Sequence, residues 1–120
     1  MMLPIKTSNT ILYCDNWREC VEFYKTKLGL SITTENDWFV EFELTESARL
    51  SVTNADKTSL KSNQGNGITI TFEVDDIDAT HQNLLSAELN LTPIKNHQWG
   101  AKVFYLFDPE GHRLEFWAAD

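Results

Sequence analysis

The sequence predicts an α+β fold built from two tandem copies of one unit, each running strand, helix and then three strands. Three observations carry that expectation. The chain repeats itself: Asp15-Asn16-Trp17 opens a helical stretch after a short apolar strand, and Asp75-Asp76-Ile77 does so again at an offset of 60. Near the end of each half, Ser47-Ala48-Arg49-Leu50-Ser51 matches Gly111-His112-Arg113-Leu114-Glu115 at an offset of 64, so a few residues were gained in between. Lastly, Asp108-Pro109-Glu110-Gly111 carries Pro at the second and Gly at the fourth position of a type I turn, which fixes a hairpin between the last two strands. A period near half of 120 residues means two copies of one supersecondary unit.

The elements follow in order. Residues 8–14 read as a strand. Trp17, Cys20, Val21, Tyr24 and Leu28 then recur at i, i+3, i+4, i+7 and i+11, one stripe of a helix. Asn16 followed by Glu19 reads as a capping pair, and Gly29 sits where a C-cap glycine belongs. Strands are expected near 30–35, 38–44 and 48–53. The polar stretch 54–66 reads as the connection, which divides one domain (1–120) into modules 5–56 and 66–120 with a linker near 57–65. In the second copy, residues 67–74 read as a strand. Ile77, His81, Leu84 and Leu85 stripe a helix over 76–88, and strands near 91–95, 101–107 and 112–118 complete it.

The totals exclude several classes. One chain of this length buries a core without staples. No apolar run approaches the ~20 residues of a membrane span, and the N-terminus lacks the long apolar region of a signal peptide. Cys14 and Cys20 show no metal-type pairing, so a cytoplasmic chain with reduced thiols is expected. Eighteen acidic against ten basic residues give a net charge of −8, with no basic stripe for nucleic acid and little attraction to anionic membranes.

Asn16 to Leu30, with Phe23-Tyr24 and Leu28-Gly29-Leu30, resembles the "D…FY…LGL" signature of the vicinal oxygen chelate superfamily. Trp99-Gly100 and the run Asp108 to Phe116 resemble its "WG…DPEGHxxEF" ending. This is the group of glyoxalase I, bleomycin-resistance proteins and extradiol dioxygenases. The resemblance spans nearly the whole chain. It implies paired βαβββ modules whose mixed sheets curl into one cleft, commonly in a homodimer, and it leaves chemistry open because the fold hosts both enzymes and pure binders.

In the family's enzymes a divalent metal takes ligands from the first and last strand of each module, usually His, Glu or Gln. Carried over, those positions are Asn9, Ser51, Thr69 and Glu115. Only Glu115 is a strong ligand, so no metal and no other cofactor is expected. His112 and Glu115 lie three apart in a strand and point to opposite faces. His81 reads as packed against the sheet, and His97 as a loop residue able to lean into the cleft. Cys14 and Cys20 read as small buried apolar groups.

Strand alternation sorts the cleft lining. If Asn9 and Glu115 face it, so do Ile11, Tyr13, Arg49, Ser51, Thr69, Thr71 and Trp117. Trp38 and Trp99 come from hairpins or loops at the rim, and either Phe104 or Tyr105 contributes. The expected binding set is therefore Glu115, Trp117, Asn9, Tyr13, Trp38, Arg49, Thr69 and Trp99. It describes an aromatic-walled pocket with one carboxylate, suited to a flat or cationic ligand, with Arg49 as the alternative partner of Glu115. Trp17 and Trp38 can equally be core. The leading function is a metal-free binder that sequesters an antibiotic-like or cationic/aromatic small molecule. The alternatives are a lyase, isomerase or dioxygenase with an altered site, and a regulatory module that senses a metabolite through a partner.

Overall fold

In the computed structural model, which describes residues 2–120, a four-stranded mixed sheet forms in each half of the chain. The halves are two compact units that divide between Asn63 and Gln64. In the first, β1 (Ser8–Cys14) runs parallel to β4 (Ala48–Asn54), which pairs antiparallel with β3 (Phe39–Thr45), and β3 with β2 (Ser31–Glu35). In the second, β5 (Thr69–Glu73) runs parallel to β8 (Arg113–Ala119), followed outward by β7 (Ala101–Phe107) and β6 (Lys95–His97). Each unit is the expected βαβββ module, and its sheet is open.

A parallel pair needs a crossover, and in the first unit α1 (Trp17–Glu22) supplies it. The helix passes straight into a π-helical turn over Phe23–Lys27, in which the Leu28 N–H donates to the Phe23 carbonyl (2.9 Å). This wider turn alters the expected stripe. Trp17, Cys20 and Tyr24 are buried as the spacing requires, but Phe23 joins them, while Val21 and Leu28 are only half-buried. The capping pair is also corrected. Asn16 has φ −93° and ψ 54°, outside the extended conformation of a capping residue, and its side chain makes no cap bond. Gly29, at φ +70°, ends the helix as expected.

The helix covers the face of the sheet formed by Leu12, Cys14, Val40, Phe42, Leu50 and Val52. Tyr24 packs 6.0 Å from Phe42, and both are fully buried, which contributes about 2–3 kcal/mol apiece. Trp17 Nε1 donates to the Val52 carbonyl (2.9 Å), so that tryptophan is a core residue with its polar atom satisfied.

The second helix, α2 (Ile77–Ser86), is capped by Asp76, whose Oδ1 accepts from the Ala79 N–H (3.0 Å). It buries Ile77 and Leu84 but leaves Leu85 exposed. His81 packs edge-on against Phe104 (4.7 Å), and its Nε2 bonds the Thr92 carbonyl (3.0 Å). Phe104, Phe116 and Phe72 form a stack under the helix, with centroids 5.3 and 5.1 Å apart. The strand expected near 91–95 begins instead at Lys95. Pro93 has no N–H to donate, and ahead of β6 Thr92 bonds β7, donating its N–H to the Tyr105 carbonyl (3.0 Å) and accepting the Tyr105 N–H on Oγ1 (2.8 Å).

The β7–β8 turn is heavily bonded. Asp108 Oδ1 accepts from the N–H groups of Glu110 and His112 (both 2.9 Å), its Oδ2 meets His112 Nδ1 (2.8 Å), and all of this is buried. Gly111, at φ +102°, lies against the connecting segment. A Cβ on Gly65 (φ +76°) would collide with the backbone of Gly111 and His112, and one on Gly111 would sit 2.5 Å from the Gln64 carbonyl oxygen. No described helix is long and apolar enough to cross a membrane.

Gly65→Ala is expected to cost at least about 3 kcal/mol, because backbone strain and a backbone collision add. Gly67→Ala, at φ +78° in open space, should cost about 1–2 kcal/mol from strain alone. Urea unfolding of both variants checks the difference, and equal losses would show that the close approach is unimportant.

Candidate ligand site

Because side chains alternate along a strand, the helix-covered face leaves the odd-numbered residues of β1 and β4 on the other side. In the first unit that face carries Asn9, Ile11 and Tyr13 beside Arg49, Ser51 and Thr53, with Phe39 and Glu41 from β3 in register with Thr53 and Ser51. Hydrogen bonds cross the sheet here. Ser51 Oγ donates to Asn9 Oδ1 (2.9 Å), Asn9 Nδ2 donates to Glu41 Oε1 (3.3 Å), and Thr33 Oγ1 donates to Glu41 Oε2 (2.6 Å). Arg49 turns toward the β3–β4 turn, where Nη1 donates to the carbonyls of Thr45 (2.6 Å), Glu46 (3.2 Å) and Ala48 (3.2 Å). Tyr13 and Trp38 line a cavity at the β4 C-terminal end of this face.

In the second unit the face away from α2 carries Arg113, Glu115 and Trp117 of β8, Val103 and Tyr105 of β7, and the exposed Thr69 and Thr71 of β5. Tyr105, in register with Glu115, is therefore the face's aromatic residue, and Phe104 belongs to the helix layer. Glu115 pairs with Arg113, whose Nη2 lies 3.5 Å from its Oε2. That replaces the Arg49 partner expected from the sequence. Both side chains keep some exposure, so the pair contributes at most about 1 kcal/mol. The Arg113 guanidinium carbon sits 4.2 Å from the Tyr105 ring centroid, a cation–π geometry. Its Nε is buried and has no hydrogen-bond partner among the described residues. A cavity of about 150 Å³ opens beside these groups, also lined by Lys95 and His97. Trp99 leans on Trp117 (5.9 Å), and His97 of the lining leans on Trp99 (5.8 Å).

The residues at the family's metal-ligand positions do not fit a divalent transition ion. Asn9 and Ser51 are neutral and hydrogen-bonded to each other, Thr69 offers a hydroxyl, and the carboxylate of Glu115 is held by a cation. A transition ion requires several imidazole, thiolate or carboxylate donors. His112, the nearest histidine in sequence to Glu115, is spent on Asp108 inside the turn.

Four contributors escaped the sequence reading. Glu41 sits in the alternating run Phe39-Val40-Glu41-Phe42-Glu43, so its position opposite Val40 and Phe42 was available from parity. Arg113 shares the parity of Glu115 but was read only as part of a motif. Thr53 follows Ser51 by two residues. Lys95 gave no signal, because Pro93 displaces the strand that carries it.

A family model described as a glyoxalase-like domain matches residues 7–118. The chain belongs to that family, within the vicinal oxygen chelate superfamily. A glyoxalase/bleomycin resistance protein/dioxygenase from Nocardioides superposes with a TM-score of 0.81 at 23% identity, covering 99% of this chain and 85% of that one. Lactoylglutathione lyase from Agrobacterium tumefaciens gives 0.78 at 21%, covering 98% and 96%. TnmS3, an antibiotic binding protein from Streptomyces sp. CB03234, gives 0.81 at 14%, with both chains fully covered. At these identities the likeness establishes the fold, which an enzyme and a binding protein share.

Untagged protein is expected to carry far less than one equivalent of zinc, nickel, manganese or iron per chain, as read by elemental analysis. A stoichiometric metal that is lost in Glu115→Ala would overturn that expectation.

Proposed function

We propose that this protein is a metal-free small-molecule binder, of the kind that sequesters a ligand without altering it, and that the Arg113 face of the second unit grips the ligand. One observation carries the reading: a guanidinium laid on Tyr105 keeps a buried Nε–H with no partner among the described residues, beside a cavity. A buried donor left unmade costs about 1–3 kcal/mol, which a ligand acceptor recovers. The antibiotic binding protein with the same fold supports a binding role without supplying the ligand.

The charges beside that cavity alter the ligand class expected from the sequence. Glu115 is already paired, and the cations Lys95 and Arg113 line the cavity, so the site favours a planar molecule with a carboxylate or similar acceptor over a cation. Tyr105 provides a stacking surface in the lining. We place the binder in the cytoplasm, where the buried free thiols of Cys14 and Cys20 stay reduced.

Calorimetric titration with 2-naphthoate and with 2-naphthylmethylammonium tests the reading. The carboxylate is expected to bind more tightly, and Arg113→Met should weaken it about tenfold or more. Glu115→Gln should strengthen it, since the carboxylate competing for Arg113 is removed. Preference for the ammonium probe, or indifference to Arg113→Met, would sink the proposal.

A homodimer is also proposed. The outer strands β1, β2, β5 and β6 have no further strand beside them among the described residues, and such edges are commonly covered by a second copy. Light scattering is expected to give twice the chain mass at micromolar concentration; a monomer would contradict it.

A further inference from the structure

We infer that the connecting segment carries a site of spontaneous covalent modification: Asn66 cyclises onto the backbone nitrogen of Gly67 and is converted to aspartate or isoaspartate. The reaction consumes water and needs no ligand, so it is independent of the Arg113 site.

The chemistry sets three requirements, and Asn66-Gly67 meets each. The attacking backbone nitrogen must be unhindered. Of the chain's asparagines, Asn66 alone is followed by glycine, and each of the other eight precedes a residue whose Cβ crowds that nitrogen. The nitrogen must also be able to give up its proton to solvent. Both residues are exposed, and the Gly67 N–H makes no hydrogen bond among the described residues, so none has to be broken first. Finally, the ring must fit. Even an added Cβ on Gly67 would meet no atom within 4 Å. Three of the other carboxamides are held in place instead: Asn9 Oδ1 accepts from the Ser51 hydroxyl, Asn36 Oδ1 from the Trp38 N–H and Asn54 Oδ1 from the Asp56 N–H.

The Gly67 nitrogen passes its proton to hydroxide and bonds to Asn66 Cγ. The Cγ–Nδ2 bond breaks and ammonia leaves, which closes a five-membered succinimide. Water then adds to one of the two ring carbonyls. Cleavage of the new N–Cγ bond gives aspartate on an unchanged backbone. Cleavage of the original peptide bond gives isoaspartate, whose backbone runs through the former side chain and is longer by one methylene. In sum, one water enters and one ammonia departs, with no change of oxidation state.

The two products act differently on the fold. Aspartate adds a negative charge at an exposed turn of a chain already at −8, which the structure tolerates. Isoaspartate lengthens a short span that is held at both ends. The place of a Gly65 Cβ is filled by the backbone of Gly111 and His112, and β5 enters register with β8 where Thr69 meets Arg113. The added backbone must therefore disturb the glycine contact or the start of β5.

The test is peptide-resolved mass spectrometry of the full chain held at mildly alkaline pH and physiological temperature, beside a free peptide of residues 62–70. A gain of about 1 Da is expected at Asn66, at least about tenfold faster than at any other asparagine and within about tenfold of the peptide's rate. The rate should rise with pH, fall in Gly67→Ala and vanish at this position in Asn66→Gln, which serves if the alanine variant fails to fold. Urea unfolding separates the products: Asn66→Asp should keep the original midpoint, and aged protein rich in isoaspartate should unfold at lower urea. The inference is overturned if the gain falls on other asparagines, or if the folded chain lags the peptide by more than about tenfold, because the turn then shields the nitrogen. An unshifted midpoint in isoaspartate-rich protein would overturn the strain assigned to the span between Gly65 and Thr69.

Discussion

Parallel pairing of the first and last strands governs the structure of each unit. Ser8 to Cys14 run in unbroken register with Ala48 to Asn54, and Thr69 to Glu73 with Arg113 to Trp117. Because alternation has a period of two, a slip of one residue would exchange the faces. Leu12, Leu50 and Val52 would lose the helix, and Asn9, Ser51 and Thr53 would be driven beneath it. The apolar surface under α1 and α2 therefore does more than hold the helices: it sets which side chains stand on the opposite face and in what rows. Every residue of the two open faces that lies on β1, β4, β5 or β8 inherits its direction from that choice.

The two faces built this way are chemically unlike. In the first unit, the positions that hold metal in related enzymes carry an amide and a hydroxyl that bond each other and, through Glu41, reach the sheet's far edge. Such a network satisfies its own donors and acceptors and leaves little for an ion. In the second, the acidic residue is kept, but its neighbour on the same face is an arginine stacked on tyrosine. The positive charge beside that carboxylate is a side chain of the same strand.

Much of this was legible in the sequence. The repeat defined two modules, the Asp108-Pro109-Glu110-Gly111 turn located the last hairpin, and parity placed Trp117 with Glu115 and sent Phe116 to the helix layer. What escaped depends on geometry that spacing does not encode. The π-helical turn after Glu22 changes helix periodicity without a Gly or Pro to announce it. Arg49 lies on the expected strand, yet three turn carbonyls decide where its guanidinium goes. Whether the Arg113 Nε finds a partner depends on neighbours two strands wide, which no single-chain pattern reveals.

The glycine contact at the β7–β8 turn bears on the chain's ancestry and on attempts to redesign it. In the internal alignment Gly111 corresponds to Ser47, so the first copy has a side chain where the second has none. The two copies are consequently not interchangeable parts. A chimera that repeated the first module twice would place a hydroxymethyl group where the Gln64 carbonyl now sits. Symmetrising the halves would require redrawing the connecting segment as well, because Gln64 and Gly65 lie directly against the turn.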